Sequence, residues 1–195
     1  MNKHTEQSNL TKANLREAFW QLYAHNSISR ITVGAVCEKA GYNRGTFYLH
    51  YQDIYELLES IEDEILDGMT NCAEGALQKL SKDNGKRARI AALTEVVRYY
   101  EKNKQYVDVM LSKQSDSDFI VRLKNRLKPL WRNYLVHDTY GRSESEIDLI
   151  LEYTLSGALF MISQWLQEPG TVSATCLGKL VFDAAIRDID TRIAG

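Results

Sequence analysis

The chain has 195 residues, a net charge of −2 and three cysteines that lie far apart without a CxxC or Cys/His cluster. This length can bury a sizeable core without disulfides, the cysteine usage favours a reduced, cytoplasmic setting, and no apolar N-terminal stretch suggests a secretory signal. Residues 1–52 contain six basic residues and three acids, whereas residues 53–67 contain seven acids and no base. Binding of nucleic acid by bulk charge alone is therefore excluded, although a mildly basic head would orient the molecule toward a polyanion.

Apolar residues recur at spacings of three and four along almost the whole chain, and only two prolines occur, Pro129 and Pro169. This pattern predicts an all-α protein. The first helix is expected to end in the polar run 25–30. Its inner face consists of Leu15, Ala18, Phe19 and Leu22.

Two short helices with a glycine between them follow the first helix. Thr32 can cap the second helix, and Gly41 can end it because glycine readily takes a positive φ. Asn43 can cap a third helix that turns Phe47 toward the core. The arrangement over residues 32–51 predicts a helix-turn-helix. The inner face of the second helix is formed by Val33, Val36, Cys37 and Ala40.

The outer face of the third helix carries hydrogen-bond donors and little bulk near its start, which allows it to enter the major groove of DNA N-terminus first. Arginine can bond both acceptors of guanine, glycine lets the backbone approach the groove, and hydroxyls suit phosphate. A place in the core is the alternative for Tyr48 and the expectation for Tyr51, where this helix ends. Cys37 is expected to be a small buried residue rather than a redox sensor. The outer face comprises Asn43, Arg44, Gly45, Thr46, Tyr48 and His50.

The rest of the chain also follows a helical pattern. A fourth helix is expected from Asp53 to about Leu80, where the polar segment 81–86 breaks it. The apolar stretch 149–166 contains one formal charge, Glu152, and no basic cluster flanks it, so we expect a buried helix rather than a membrane span. Further helices are predicted over residues 87–101, 104–111, 116–136, 144–166 and 172–193, which makes about nine in all.

The run ITVGAVCEKAGYNRGTFYLHYQDIYELL, residues 31–58, resembles the DNA-binding segment of the TetR/AcrR family of bacterial regulators. A leading helix with an LxxAFxxL spacing lies upstream, and the motif covers about the first third of the chain. The resemblance implies an N-terminal three-helix, helix-turn-helix domain over residues 8–68. It implies a larger helical domain for dimerisation and ligand binding over residues 69–195. The matching residues are Thr32, Ala40, Gly41, Gly45, Thr46, Phe47, Tyr48, His50 and Tyr51.

The resemblance also implies which positions touch DNA. Asn43, Arg44 and Gly45 fall where family members approach the bases. Many members have a lysine where this chain has Ile54, so a phosphate contact at the start of the fourth helix is missing here, which lowers the expected affinity rather than changing the fold. Phosphate contacts fall at Thr32, Thr46, Tyr48 and His50, and Val33 completes the candidate DNA-binding set.

A single head of this size would bind DNA weakly, so a two-fold dimer is expected. The last two helices carry more apolar surface than a monomer needs, although an ordinary monomer core is the alternative. The dimer candidates are Leu149, Tyr153, Gly157, Phe160, Met161, Trp165, Leu177, Leu180, Val181 and Ala184. The resemblance further implies a small-molecule pocket, although aromatics at helical spacing usually fill the core and most of the candidates are expected to do so. The candidates are Tyr99, Tyr100, Tyr106, Phe119, Trp131, Tyr134 and Tyr153.

The sequence therefore predicts a DNA-binding transcription regulator that reads a palindromic operator as a homodimer, and the resemblance implies a repressor that a small-molecule effector releases. An enzyme is disfavoured because the four histidines form no HExxH motif, and the chain has no GxSxG elbow and no phosphate-cradling glycine loop. No cofactor, metal or membrane partner is expected. The alternative is a helical protein-interaction module whose helix-turn-helix does not read DNA, which the acidic fourth helix and Ile54 favour.

Overall fold

The structure is a computed structural model that describes residues 3–83, 85–112, 117–135, 143–168 and 171–193. The described residues form α-helices and one short 3-10 helix, Ile28–Arg30, without strands, which confirms the all-α prediction. The α-helices are α1 (Lys3–Tyr23), α2 (Val33–Ala40), α3 (Arg44–Tyr48), α4 (Ile54–Lys82), α5 (Lys86–Ser112), α6 (Ser117–Leu135), α7 (Glu144–Gln167) and α8 (Ala174–Ile193).

The chain divides into two compact units, residues 1–64 and residues 65–195, and the point of division falls inside α4. The first unit, called the head below, packs α1, α2, α3 and the start of α4 around side chains that are inaccessible to solvent. The second unit, called the body, contains the rest of α4 and the four following helices. The head core is built on Leu15, Phe19, Val36, Phe47, Leu57 and Ile61.

The third helix is shorter than predicted. It ends at Tyr48, and the backbone N–H groups of His50 and Tyr51 both donate to the carbonyl of Phe47, at 2.9 and 3.0 Å. The chain leaves the helix there because Asp53 caps α4: its Oδ1 accepts from the N–H groups of the two residues after Ile54, at 2.8 and 2.9 Å. The prediction that this helix runs to Tyr51 was wrong by about one turn.

Helix α5 was predicted as two helices, 87–101 and 104–111, and the structure has one helical element. Its backbone is distorted at Asn103, with φ −112° and ψ 15°, between the two predicted segments. The Asn103 side-chain amide donates to the carbonyl of Tyr99 at 3.0 Å. The polar run therefore kinks the helix without ending it. The predicted ends of the next helix, Asp116 and Val136, lie outside the described residues.

Basic residues on α6 face acidic residues on α7. Lys124 pairs with Glu152, and Arg132 pairs with Asp148 and with Glu144 near the start of α7. The hydrogen bond from Lys124 is the main reason why the pKa of Glu152 is lowered. This pair accounts for the single formal charge in the apolar stretch of α7. Because the carboxylates of these pairs remain accessible to solvent, we assign the pairs to the register of the two helices rather than to stability.

Helix α7 carries apolar side chains on two sides, in addition to the acidic residues that face α6. One face is buried in the body and the other carries exposed Leu149, Tyr153 and Phe160. By length and composition alone, α7 is the one helix in the described part of the chain that could cross a membrane, although a core helix passes the same test. Its buried face consists of Ile147, Leu151, Thr154, Leu155, Leu159 and Leu166.

Candidate nucleic-acid interface

Helix α2 is fixed at both ends by the residues that the sequence indicated. The Thr32 hydroxyl accepts from the Ala35 N–H at 3.1 Å, as an N-cap does. Gly41 takes φ 75° and ψ 28°, a left-handed conformation that favours glycine. The Tyr42 N–H then donates to the Cys37 carbonyl at 2.9 Å, which closes a Schellman turn. Both predicted helix boundaries are confirmed, and together they fix where α3 begins.

Helix α3 begins at a side-chain cap and is anchored by one buried ring. Asn43 Oδ1 accepts from the Thr46 backbone N–H at 2.8 Å and from the Thr46 hydroxyl at 3.2 Å. Phe47 is fully buried, and its ring meets those of Tyr48 and Tyr51 at centroid separations of 5.7 Å each. With Phe47 inside, the residues around it are presented on the outer face.

Arg44 lies at the start of that face, against the backbone of α2. A methyl group placed on Gly34 would come within 2.8 Å of Arg44 Nη2, so the missing side chain of Gly34 provides the space for the guanidinium. The sequence analysis did not identify Gly34 as a functional residue. The available signal was a glycine inside a short helix, where it is unfavourable without a packing reason.

The other predicted contact residues differ in exposure. Tyr48 is 58% exposed and Leu49, which was not predicted as a contact, is 81% exposed. Tyr51 is buried, as expected. The structure describes Thr32, Asn43, Arg44 and Gly45 as exposed and Val33, Thr46 and His50 as half-buried. The pattern is compatible with contacts along one polar face, and the DNA-binding set remains a prediction.

Three titratable groups of the head have shifted pKa values. Burial and, to a smaller extent, the charge of Lys12 lower the pKa of His50, which keeps its imidazole neutral near pH 7. Burial raises the pKa of the Cys37 thiol, with a smaller opposing effect of Arg44, so the thiol is not activated as a nucleophile. Burial also raises the pKa of Tyr51.

Sequence comparisons place both units in one family. Residues 15–61 match the model described as bacterial regulatory proteins of the tetR family, and residues 90–175 match the TetR model described as a transcriptional regulator C-terminal region. The chain belongs to the TetR family. Its N-terminal part is thus a helix-turn-helix of a family of DNA-binding transcriptional regulators, as the sequence predicted.

Individual relatives of this TetR-family chain are distant in sequence and close in fold. It is 21% identical over 177 residues to the uncharacterized HTH-type transcriptional regulator YxbF of Bacillus subtilis strain 168; the match covers 88% of this chain and 44% of that protein. A TetR transcriptional regulator from Streptococcus agalactiae 2603V superposes with a TM-score of 0.68 at 21% identity, covering 93% and 97% of the two chains. SmeT of Stenotrophomonas maltophilia, in a complex with triclosan, gives 0.66 at 16% identity, covering 91% and 90%.

The body of this TetR-family chain contains a partly open cavity of about 260 Å³ that is lined by α4, α5, α6, α7 and α8. Of the predicted pocket residues, Tyr99, Tyr100 and Trp131 line it. The other four lie elsewhere: Phe119 is buried in the core, Tyr153 is 60% exposed on α7, and neither Tyr106 nor Tyr134 lines the cavity. The aromatic residues of the sequence alone could not show which positions line the cavity and which lie in the core or on the surface.

Three residues that were predicted for the dimer interface line the cavity: Leu177, which is buried, and Trp165 and Val181, which are half-buried. Of the other candidates, Met161 is half-buried and Gly157 and Ala184 are exposed. The large exposed side chains among them are Leu149, Tyr153, Phe160 and Leu180, with exposures of 71, 60, 66 and 51%. Within the described ranges, no group of three His, Cys, Asp or Glu side chains could hold a metal ion.

Proposed function

We propose that this regulator binds a palindromic DNA operator as a homodimer, represses transcription in the cytoplasm and is released by a small-molecule effector. The observation that carries the proposal is the start of α3, where Arg44 lies exposed beside the cap formed by Asn43. A helix N-terminus with little bulk and one arginine suits entry into the major groove and a bidentate contact with guanine. Residues 8–68 would then bind DNA, and residues 69–195 would dimerise and sense the effector.

The exposed stripe on α7 supports the homodimer. Leu149, Tyr153 and Phe160 fall on one side of the helix, and Leu180 adds exposed apolar surface from α8. Soluble monomers rarely expose so many large apolar side chains together. A second copy offers the same stripe, which is the condition for a two-fold interface. Two heads related in this way would read two half-sites of a palindrome.

The cavity in the body supports the proposal that a small-molecule effector binds there. SmeT, which shares the fold, forms a complex with triclosan, so a protein of this architecture can bind a molecule of that size. To release the operator, the effector must bind more tightly to the conformation of the regulator that has low affinity for DNA.

Selection of bound sequences from a random DNA pool tests the proposal directly. We expect a palindrome, and we expect Arg44→Ala to weaken binding to it by about 1–3 kcal/mol while relaxing the preference at one base position. Thr46→Ala and Tyr48→Phe serve as controls, because loss of a phosphate contact weakens binding to all sequences alike. If no sequence is preferred over bulk DNA at low salt, the proposal fails and the protein-interaction module replaces it.

Gly34→Ala offers a second test of the role of Arg44. The added methyl displaces the guanidinium, while alanine favours a helix more than glycine does by about 1 kcal/mol. We therefore expect unchanged or higher stability together with a several-fold loss of affinity for the selected site. Measurement of the melting temperature beside DNA-binding anisotropy separates the two effects, and undiminished affinity would argue against a preorganised Arg44.

A further inference from the structure

The cavity of the body is almost wholly apolar. Among the described residues that line it, none carries a charge and none is a histidine. Leucine, valine and alanine side chains from all five helices form most of the wall. Moving an ionised group from water into such surroundings is strongly unfavourable without a partner of opposite charge. The wall therefore discriminates against an anionic or cationic ligand.

Most polar groups on the wall already have partners within the protein. The Tyr99 hydroxyl donates to the carbonyl of Ile65 at 3.1 Å, and the Tyr100 hydroxyl donates to the Asp108 carboxylate at 2.9 Å. The Trp165 indole N–H donates to a backbone carbonyl at 2.6 Å. These groups present their apolar parts to the cavity and have their hydrogen bonds turned to the protein.

Thr154 is different. The residue is 7% exposed and lines the cavity, and its Oγ1 is the one fully buried side-chain oxygen or nitrogen without a hydrogen-bond partner in the described part of the chain. Other helical threonines donate to the carbonyl one turn back: Thr70 to Leu66 and Thr94 to Ile90, both at 2.7 Å. Buried polar groups are nearly always satisfied, so this orphaned hydroxyl indicates a missing partner. Because Oγ1 is itself inaccessible to solvent, a ligand in the cavity can bond it only after the Thr154 side chain turns about χ1 toward the cavity.

We infer that the effector is an uncharged, lipophilic molecule with one hydrogen-bonding group that pairs with the Thr154 hydroxyl. This inference rests on the proposed function, because it names the chemical class of the molecule that the body senses. The apolar wall selects for a lipophilic skeleton and against a charge. Thr154 selects for a hydroxyl or carbonyl at one place on that skeleton, since leaving its own hydroxyl unpaired against a hydrocarbon is unfavourable.

Three small probes with the same skeleton test this inference by calorimetry on the full chain: 4-butylphenol, butylbenzene and 4-butylbenzoate. Two variants accompany the wild type. Thr154→Val removes the hydroxyl at nearly constant volume, and Thr154→Ser keeps it. We expect 4-butylphenol to bind about tenfold more weakly to Thr154→Val than to the wild type, as expected for the loss of one hydrogen bond. Butylbenzene should bind both alike, Thr154→Ser should retain most of the preference, and 4-butylbenzoate should bind the wild type at least tenfold more weakly than 4-butylphenol.

Equal affinity of 4-butylphenol for the wild type and Thr154→Val would overturn the inference, as would tight binding of 4-butylbenzoate or no binding of any probe. The melting temperature of Thr154→Val should not fall, because the substitution removes an unpaired buried hydroxyl, and this confirms that the variant is folded. Release of the selected operator by 4-butylphenol is measured separately. Binding of 4-butylphenol through Thr154 without release of the operator would support the inferred ligand class and count against the proposed function. Release of the operator by another ligand, without dependence on Thr154, would support the proposed function and count against the inferred ligand class.

Discussion

The head and the body of this regulator use their apolar residues differently. In the head, Phe47 and its neighbours fill the core, and the helix ends are closed by Thr32, Gly41 and Asn43. In the body, apolar side chains surround a cavity of about 260 Å³ and also cover the outer side of α7. The proposed DNA-binding role of the head requires one fixed surface, and the head is closed on itself. The proposed roles of the body, effector binding and dimerisation, both require apolar surface that is left open to a partner.

Removal of the ring at the centre of the head should have the largest effect. Phe47→Ala deletes a fully buried aromatic side chain in a filled core, so we expect the free energy of unfolding to fall by about 3–5 kcal/mol. Urea denaturation followed by circular dichroism measures it. Tyr48→Ala is the matched control, because its ring is 58% exposed, and it should change stability by less than about 1 kcal/mol. Similar losses for both variants would contradict a core centred on Phe47.

Replacing an alanine with leucine should affect the free energy of unfolding differently in the two units. Ala18 is buried in the head, so Ala18→Leu is expected to overpack the core and cost about 1–3 kcal/mol. Ala158 lines the cavity, so Ala158→Leu has room and should leave the free energy of unfolding within about 1 kcal/mol of the wild type or raise it. Alanine and leucine have similar helix propensities, which makes the pair comparable. A larger loss for Ala158→Leu would show that the cavity is not available space.

The cap of α3 should matter less for stability than its core residue, and its effect can be separated from DNA binding. Asn43→Ala removes the acceptor for the Thr46 N–H and should destabilise the protein by about 1 kcal/mol. Asn43→Asp keeps an acceptor but adds a negative charge where DNA would approach. We expect normal denaturation and weaker DNA binding for Asn43→Asp. Unaffected DNA binding would place α3 away from the phosphates and bases.

The smallest expected effect concerns His50, whose pKa is lowered in the folded head. Because the unfolded chain then binds more protons than the folded one, His50 affects the free energy of unfolding in a pH-dependent way. Its stabilising contribution is complete above the ordinary pKa of about 6.5 and is lost as pH falls through the lower folded value. DNA phosphate favours the imidazolium, so affinity should instead rise as pH falls, by at most about tenfold per pH unit and per head. Anisotropy titrations between pH 5.5 and 8 measure it. His50→Gln should abolish this rise, and an unchanged pH profile in that variant would remove His50 from the contact.

Features fixed by a few neighbouring residues could be predicted from the sequence. The caps at Thr32 and Asn43, the turn at Gly41 and the burial of Phe47 and Tyr51 all follow from spacing within a helix or turn, and the structure has each of them. The end of α3 was misplaced because residues 49–51 continue the helical spacing of polar and aromatic side chains, although the chain turns there before Asp53 caps α4.

Features that depend on which helix faces meet could not be predicted. Helix α7 has apolar residues on more than one side, so periodicity did not show that Trp165 lines the cavity while Tyr153 lies outside. The place of Arg44 against Gly34 and the unpaired hydroxyl of Thr154 involve side chains of different helices or an empty volume, and neither leaves a pattern in the sequence.

The hydrogen bond between the Thr46 hydroxyl and Asn43 Oδ1 would have to change if Thr46 contacts a DNA phosphate, as proposed. A hydroxyl has one proton, and in the free protein Thr46 gives it to Asn43 at 3.2 Å. A phosphate oxygen accepts and does not donate, so it can bond Thr46 only by taking that proton. The oxygen of Asn43 keeps the Thr46 backbone N–H at 2.8 Å, which preserves the cap. The proposed phosphate contact would therefore exchange one acceptor of the Thr46 hydroxyl for another by rotation of that hydroxyl, without any movement of the helix.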